Sequence, residues 1–109
     1  MSVQTLYQQK RMSAADAVGV VLNGDTIVVP TAVGEPPALL TALSNARREF
    51  LNVTVSQILP VRKYDYFDLE TIQHVRHAAY FFSGVSRASG QEGWTDFISA
   101  NFSELPDLL

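Results

Sequence analysis

The segment Val33-Gly34-Glu35-Pro36-Pro37 places a flexible glycine, a carboxylate and a helix start side by side. Free backbone N–H groups at a helix N-terminus can hold an anion or a carbonyl oxygen. The same field favours a carboxylate such as Glu35 beside them. Strand–loop–helix joints are common, however. The residues alone favour the plainer reading, with Gly34 a tight turn and Glu35 a helix-start carboxylate. One glycine is not a dinucleotide fingerprint, and no Gly-Lys-Ser/Thr follows to make a P-loop.

Other residues with chemical potential are more scattered. His74 and His77 stand three apart. On a helix they would share a face and, with a carboxylate, could ligate a metal. On a strand they point to opposite faces. The adjoining apolar run 77–82 favours the strand, so no metal site is expected. Tyr64-Asp65-Tyr66-Phe67-Asp68 could stack on a ring, but its carboxylates oppose a phosphate-rich partner. It reads better as an aromatic loop folded onto its own domain or a neighbouring one. Arg87 could pair with a carboxylate or phosphate, although a structural ion pair is the commoner use. There is no Gly-x-Ser-x-Gly elbow for a serine nucleophile. Glu35, Glu49, Glu70, Glu92 and Glu104 include no pair at helical spacing. The sequons at Asn52 and Asn101 read as chance matches, because no signal peptide is evident.

The elements that must position these groups alternate. Thr26-Ile27-Val28-Val29 is a continuous β-branched run between Asn23-Gly24-Asp25 and Pro30. Residues 53–59, closed by Pro60, form a second run, with further strand candidates at 77–82 and 94–98. Short continuous apolar runs suit strands of a parallel sheet, buried on both faces. Ser13 with Asp16 three residues on predicts a capped helix over 14–21. Pro36-Pro37 opens a second helix, whose Leu39, Leu40, Leu43 and Ala46 share a face. Arg47 and Arg48 suit its last turn. A shorter helix is expected near 84–89, and a turn at the end. Alternating strands and helices call for βαβ units, so residues 26–59 read as a right-handed crossover. Ligands of such sheets sit beyond the carboxyl ends of the strands. That rule selects the loops 30–36, 60–63 and 82–84.

Composition bounds the rest. One hundred and nine residues, 47% hydrophobic and 17% charged, make a single α/β domain, 1–109, able to bury a core. Eight Lys+Arg against eleven Asp+Glu give a net charge of −3 and argue against nucleic acid. The absence of cysteine excludes disulfides, thiolate zinc sites and a cysteine nucleophile. It also fits a cytoplasmic setting. No apolar run reaches the roughly 18 residues of a membrane span. Residues 1–12 carry Lys10 and Arg11 but no apolar leader segment.

Three segments, in order, resemble one family. Residues 33–43, the Val-Gly-Glu-Pro-Pro joint with Ala38-Leu39-Leu40-Thr41-Ala42-Leu43, are similar to the first strand–helix joint of the acetyl-CoA hydrolase/transferase family. Within that family the likeness is to the 4-hydroxybutyrate CoA-transferase branch. Residues 74–87, from His74-Val75-Arg76-His77 to Ser83-Gly84-Val85-Ser86-Arg87, resemble its strand and arginine-bearing turn. Residues 93–109, from Gly93-Trp94-Thr95-Asp96-Phe97 to Glu104-Leu105-Pro106, resemble the segment that follows. There the family commonly has Gly-Arg-Ala-Asp-Tyr, and Trp94 stands in place of its arginine.

The resemblance implies half of a two-domain α/β CoA-transferase fold, with a mainly parallel sheet and flanking helices. It implies transfer of CoA from an acyl-CoA to a small carboxylate, with CoA thioester as substrate and no cofactor. An enzyme glutamate attacks the thioester and carries CoA as a glutamyl thioester. In the family that glutamate lies in the C-terminal half, which this chain does not contain, so Glu35 is not read as the nucleophile. The expected role here is one wall of the acyl and carboxylate pocket, built from Val33, Gly34, Glu35, Pro36, Gln57, Ser83 and Gly84. Backbone N–H groups near Gly34 would help hold a carboxylate or thioester oxygen. The piece alone is expected to be inactive. Its partner would be the C-terminal half, and an exposed apolar face would drive homo-oligomer formation. Rival readings are an acyl-CoA hydrolase and a stand-alone, non-catalytic ligand or protein-interaction module of the same fold.

Overall fold

In the computed structural model, which describes residues 2–81, 83, 84, 86–93 and 95–108, the β-branched run Thr26–Val29 forms strand β1. The chain enters it through a turn at Gly24, whose φ of 85° suits glycine. Asn23 Oδ1 accepts the Leu51 N–H at 3.0 Å and ties this turn to the approach of the next strand. Strands β2 (Val53–Gln57), β3 (Val75–Ala79) and β4 (Thr95–Phe97) follow. They form one parallel sheet in the order β1-β2-β3-β4. The register sets Ile27, Val55, His77 and Thr95 in one row, and Val29, Gln57, Ala79 and Phe97 in another.

Helix α1 (Val3–Lys10) buries nothing and was not signalled by the sequence. Helix α2 (Ala14–Ala17) starts as expected, the Ser13 hydroxyl accepting the Asp16 N–H at 3.2 Å. It tightens into a 3-10 turn at Val18–Val20. Helix α3 (Pro37–Asn45) connects β1 to β2 and buries Leu40 and Leu43. Arg47 falls in the 3-10 turn Arg47–Glu49, from which it donates to the Ser44 carbonyl at 2.7 Å. Helix α4 (Arg87–Gln91) begins later than expected, and α5 (Leu105–Leu108) follows a 3-10 turn at Phe102–Glu104.

The core lies on one face of the sheet. Val29, Val53, Val55 and Val75 meet Val18, Leu40 and Leu43 from the helices, and Tyr64, Tyr66 and Phe67 from the β2–β3 connection. The aromatic segment therefore folds onto its own domain. The architecture is α/β, as read from the residues. Phe82, Val85 and Trp94, each inside an expected strand or helix, lie outside the described residues. Among the described residues no helix is long and apolar enough to cross a membrane. None of them forms a group of three or more histidines and acids able to hold a metal.

Candidate functional site

The loop after β1 is held in an unusual conformation. Ala32 takes a φ of 50°, a left-handed value that costs a non-glycine residue about 1 kcal/mol. Its N–H donates to the Leu59 carbonyl at 3.2 Å, joining the loops after β1 and β2. A 3-10 turn follows at Ala32–Gly34. A Cβ on Gly34 would lie 3.2 Å from Cβ of Pro30, so close packing suits glycine here. Val33 is 100% exposed, whereas Glu35, two residues on, is only 7% exposed.

The turn consumes the amides expected to be free. Gly34 N–H donates to the Thr31 carbonyl and Glu35 N–H to the Ala32 carbonyl, at 3.0 and 3.1 Å. Pro36 and Pro37 have no N–H to offer. The amides nearest Gly34 are therefore engaged within the turn, and the Glu35 carboxylate bonds to Gln57 and Tyr64.

Glu35 instead ends a chain of buried hydrogen bonds. Gln57, at the end of β2, donates from Nε2 to Glu35 Oε1 at 2.6 Å, and the Tyr64 hydroxyl donates to Oε2 at 3.2 Å. Gln57 Oε1 lies 2.8 Å from His77 Nε2, and His77 Nδ1 lies 2.9 Å from Thr95 Oγ1. A carboxylate only accepts, which fixes the rest of the assignment. The Gln57 amide nitrogen faces Glu35, so its oxygen faces His77, and His77 carries its proton on Nε2. Thr95 then donates to Nδ1. Every donor points towards Glu35, and each of the four strands or its following loop supplies at least one member. Gln57 and His77 meet because they are diagonal neighbours on the same sheet face.

The surroundings preserve these protonation states. Burial lowers His77 to about 4, with the charge of Asp96 opposing, so the ring is neutral at pH 7. Burial, followed by the charge and hydrogen bond of Glu35, raises Tyr64 and keeps its phenol a donor, with Arg62 opposing. Tyr64 and Tyr66 stack with ring centroids 5.5 Å apart, and Phe67 stacks on the His77 ring at 4.4 Å. These aromatics roof the chain. The Tyr66 hydroxyl is buried without a hydrogen-bond partner among the described residues, and burial raises its pKa.

The structure thus joins Glu35 and Gln57 directly, with Val33, Gly34 and Pro36 in the same loop. Ser83 and Gly84 sit beyond β3 in a turn of their own. There the Ser83 N–H donates to Ser86 Oγ at 2.9 Å and the Ser83 carbonyl accepts from the Arg87 N–H at 3.0 Å. Tyr64, His77 and Thr95 were not singled out from the sequence as partners of Glu35. Their signal was available: Gln57 and His77 are polar residues inside apolar strand runs, and buried polar groups need partners. His74 does not join His77. Its Nδ1 lies 2.7 Å from the Phe50 carbonyl oxygen.

Residues 1–109 match the sequence model of the acetyl-CoA hydrolase/transferase N-terminal domain. The chain belongs to that family. This acetyl-CoA hydrolase/transferase domain is 38% identical to the succinyl-CoA:cyclohexane-1-carboxylate CoA transferase of Geobacter metallireducens, over 99% of the chain and 24% of that protein. It is 29% identical to the 4-hydroxybutyrate coenzyme A transferase of Clostridium kluyveri, over 100% of the chain and 25% of that protein. The domain therefore spans about a quarter of the length of the curated relatives it matches. The crystal structure of RipA from Yersinia pestis shares its fold, with a TM-score of 0.85 and 24% identity, over 100% of this chain and 28% of that one.

Proposed function

We propose that this domain supplies one wall of the substrate pocket of an acyl-CoA:carboxylate CoA-transferase. The nucleophilic glutamate, which carries CoA as a glutamyl thioester, comes from the remainder of such a protein. The observation that carries this reading is the buried chain ending on Glu35 at the carboxyl edge of the sheet, where ligands of parallel sheets bind. Fixed donors hold both carboxylate oxygens, so Glu35 presents its remaining lone pairs in a set direction. Val33 offers an apolar surface beside it. Two CoA transferases matched along the whole chain support the reaction class.

The test is a chimera in which this chain replaces the matching quarter of the Geobacter relative. It is incubated with acetyl-CoA and a panel of small carboxylates, and the thioesters formed are identified by mass. Exchange is expected from the chimera and none from the 109-residue chain alone. Glu35→Gln should lower exchange at least tenfold. Exchange by the isolated chain, or full exchange in Glu35→Gln, would overturn the proposal. Free acid and CoA without exchange would instead identify a hydrolase.

A further inference from the structure

Nothing in the packing of the sheet asks for Gln57, His77 and Thr95. All three are buried on the face that Val29, Val53, Val55 and Val75 also fill. Replacing both partners of a buried hydrogen bond by apolar groups of the same shape can leave stability unchanged or improved. A row of apolar side chains would therefore serve the core as well. The polar residues instead form a directed line. Thr95 stands opposite His77 in the β3–β4 register. The next link, to Gln57, steps two residues past Val55, the register partner of His77. The last link leaves the strand and reaches Glu35 in the loop after β1. The line thus climbs from within the sheet to its carboxyl edge.

Glu35 needs such an anchor. It follows a 3-10 turn and belongs to no strand or helix. A group on a loop is placed less precisely than one on a strand, and precise orientation matters when a side chain meets a reacting substrate. Gln57, in β2, gives Glu35 its shorter bond, 2.6 Å from Nε2. The Tyr64 bond is longer, 3.2 Å, and comes from a residue between β2 and β3. The Gln57 amide could turn over, exchanging nitrogen for oxygen with little change of shape. His77 opposes that turn, because its Nε2–H needs an acceptor, and Thr95 holds this tautomer by donating to Nδ1. Phe67, stacked on the His77 ring with centroids 4.4 Å apart, fixes the plane of the imidazole. Burial keeps the ring neutral, the state in which one nitrogen donates and the other accepts.

We propose that His77 and Thr95 are positioning residues for CoA transfer: through Gln57 they hold the Glu35 carboxylate in the orientation in which it meets the substrate. This inference rests on the transferase reading of Glu35, and it makes turnover depend on a hydroxyl three strands away. It is tested in the chimera. Thr95→Val and His77→Leu keep the approximate size of the side chain and lose its hydrogen bonds. Each should lower kcat about fivefold or more, with KM for the carboxylate changed by less than about twofold. Thr95→Ser and His77→Gln keep a donor and an acceptor in place and should hold kcat within about twofold of the parent. A double-mutant cycle separates positioning from folding. Adding Thr95→Val to Glu35→Gln should lower exchange no further, because Thr95 acts only through Glu35. A further loss as large as that of the single variant would overturn the inference and assign Thr95 to the fold. Unchanged kcat in Thr95→Val, with Glu35→Gln impaired, would overturn it and leave the transferase reading standing. Full exchange in Glu35→Gln would remove both. A second measurement needs neither activity nor a variant. Long-range proton–nitrogen NMR of the 109-residue chain at pH 7 should find His77 protonated on Nε2 and bare on Nδ1. A proton on Nδ1 would turn the line around, with the Gln57 oxygen against Glu35, and would overturn the inference.

Discussion

His77 shows how one residue ties sequence to pH behaviour. Its folded value of about 4 lies below the ordinary 6.5, so between those values the unfolded chain binds a proton that the folded one refuses. Stability is therefore fully present above pH 6.5, falls as pH drops towards 4, and is flat in this component below that. The window is worth about 3 kcal/mol. Urea titrations at pH 7.5, 6 and 4.5 should show this decline, and His77→Gln should flatten it. An unchanged slope in the variant would place the titration on another group. The cause is burial in the sheet beneath Phe67, not a charged partner, so added salt should leave the decline in place.

At the scale of elements, the loop after β1 makes the sharpest demand on local conformation. The left-handed φ of Ala32 predicts opposite effects of two small substitutions. Ala32→Gly should be neutral or stabilising by under about 1 kcal/mol, and Ala32→Val destabilising by about 1–2 kcal/mol, because a β-branched side chain resists that φ. Equal urea midpoints for the two variants would contradict this account. The strands were legible to different degrees. β1 spans the β-branched run and nothing else, because turn residues flank it on both sides. β3 begins at Val75 rather than at residue 77, since Arg76 occupies the exposed face and interrupts the apolar signal without interrupting the strand. β2 ends at Gln57, two residues early, because Ile58 and Leu59 bend away despite their apolarity. α1 was invisible because nothing in the domain selects it: it buries no side chain. Glu35 could be picked from its place after a strand and Gln57 from its place near a strand's carboxyl end. Their connection through His77 to Thr95 required the register, which links residues 60 positions apart and leaves no local trace.

The whole molecule extends 50 × 33 × 23 Å, and α1 contributes length without contributing to the core. Removing residues 1–11 should shift the unfolding free energy by under about 0.5 kcal/mol, measured by urea denaturation; a larger loss would mean that α1 is docked. The rest of the molecule behaves differently, because the hydrogen bonds from Thr95 to Glu35 cross the full width of the sheet. No strand can detach alone without stranding a desolvated donor or acceptor on its neighbour. Even the three-residue β4 is fastened into this line through Thr95. The polar thread thus suppresses half-opened forms. Loss of circular dichroism and loss of tyrosine fluorescence should coincide in a single all-or-none transition, with no partly frayed sheet accumulating between the end states.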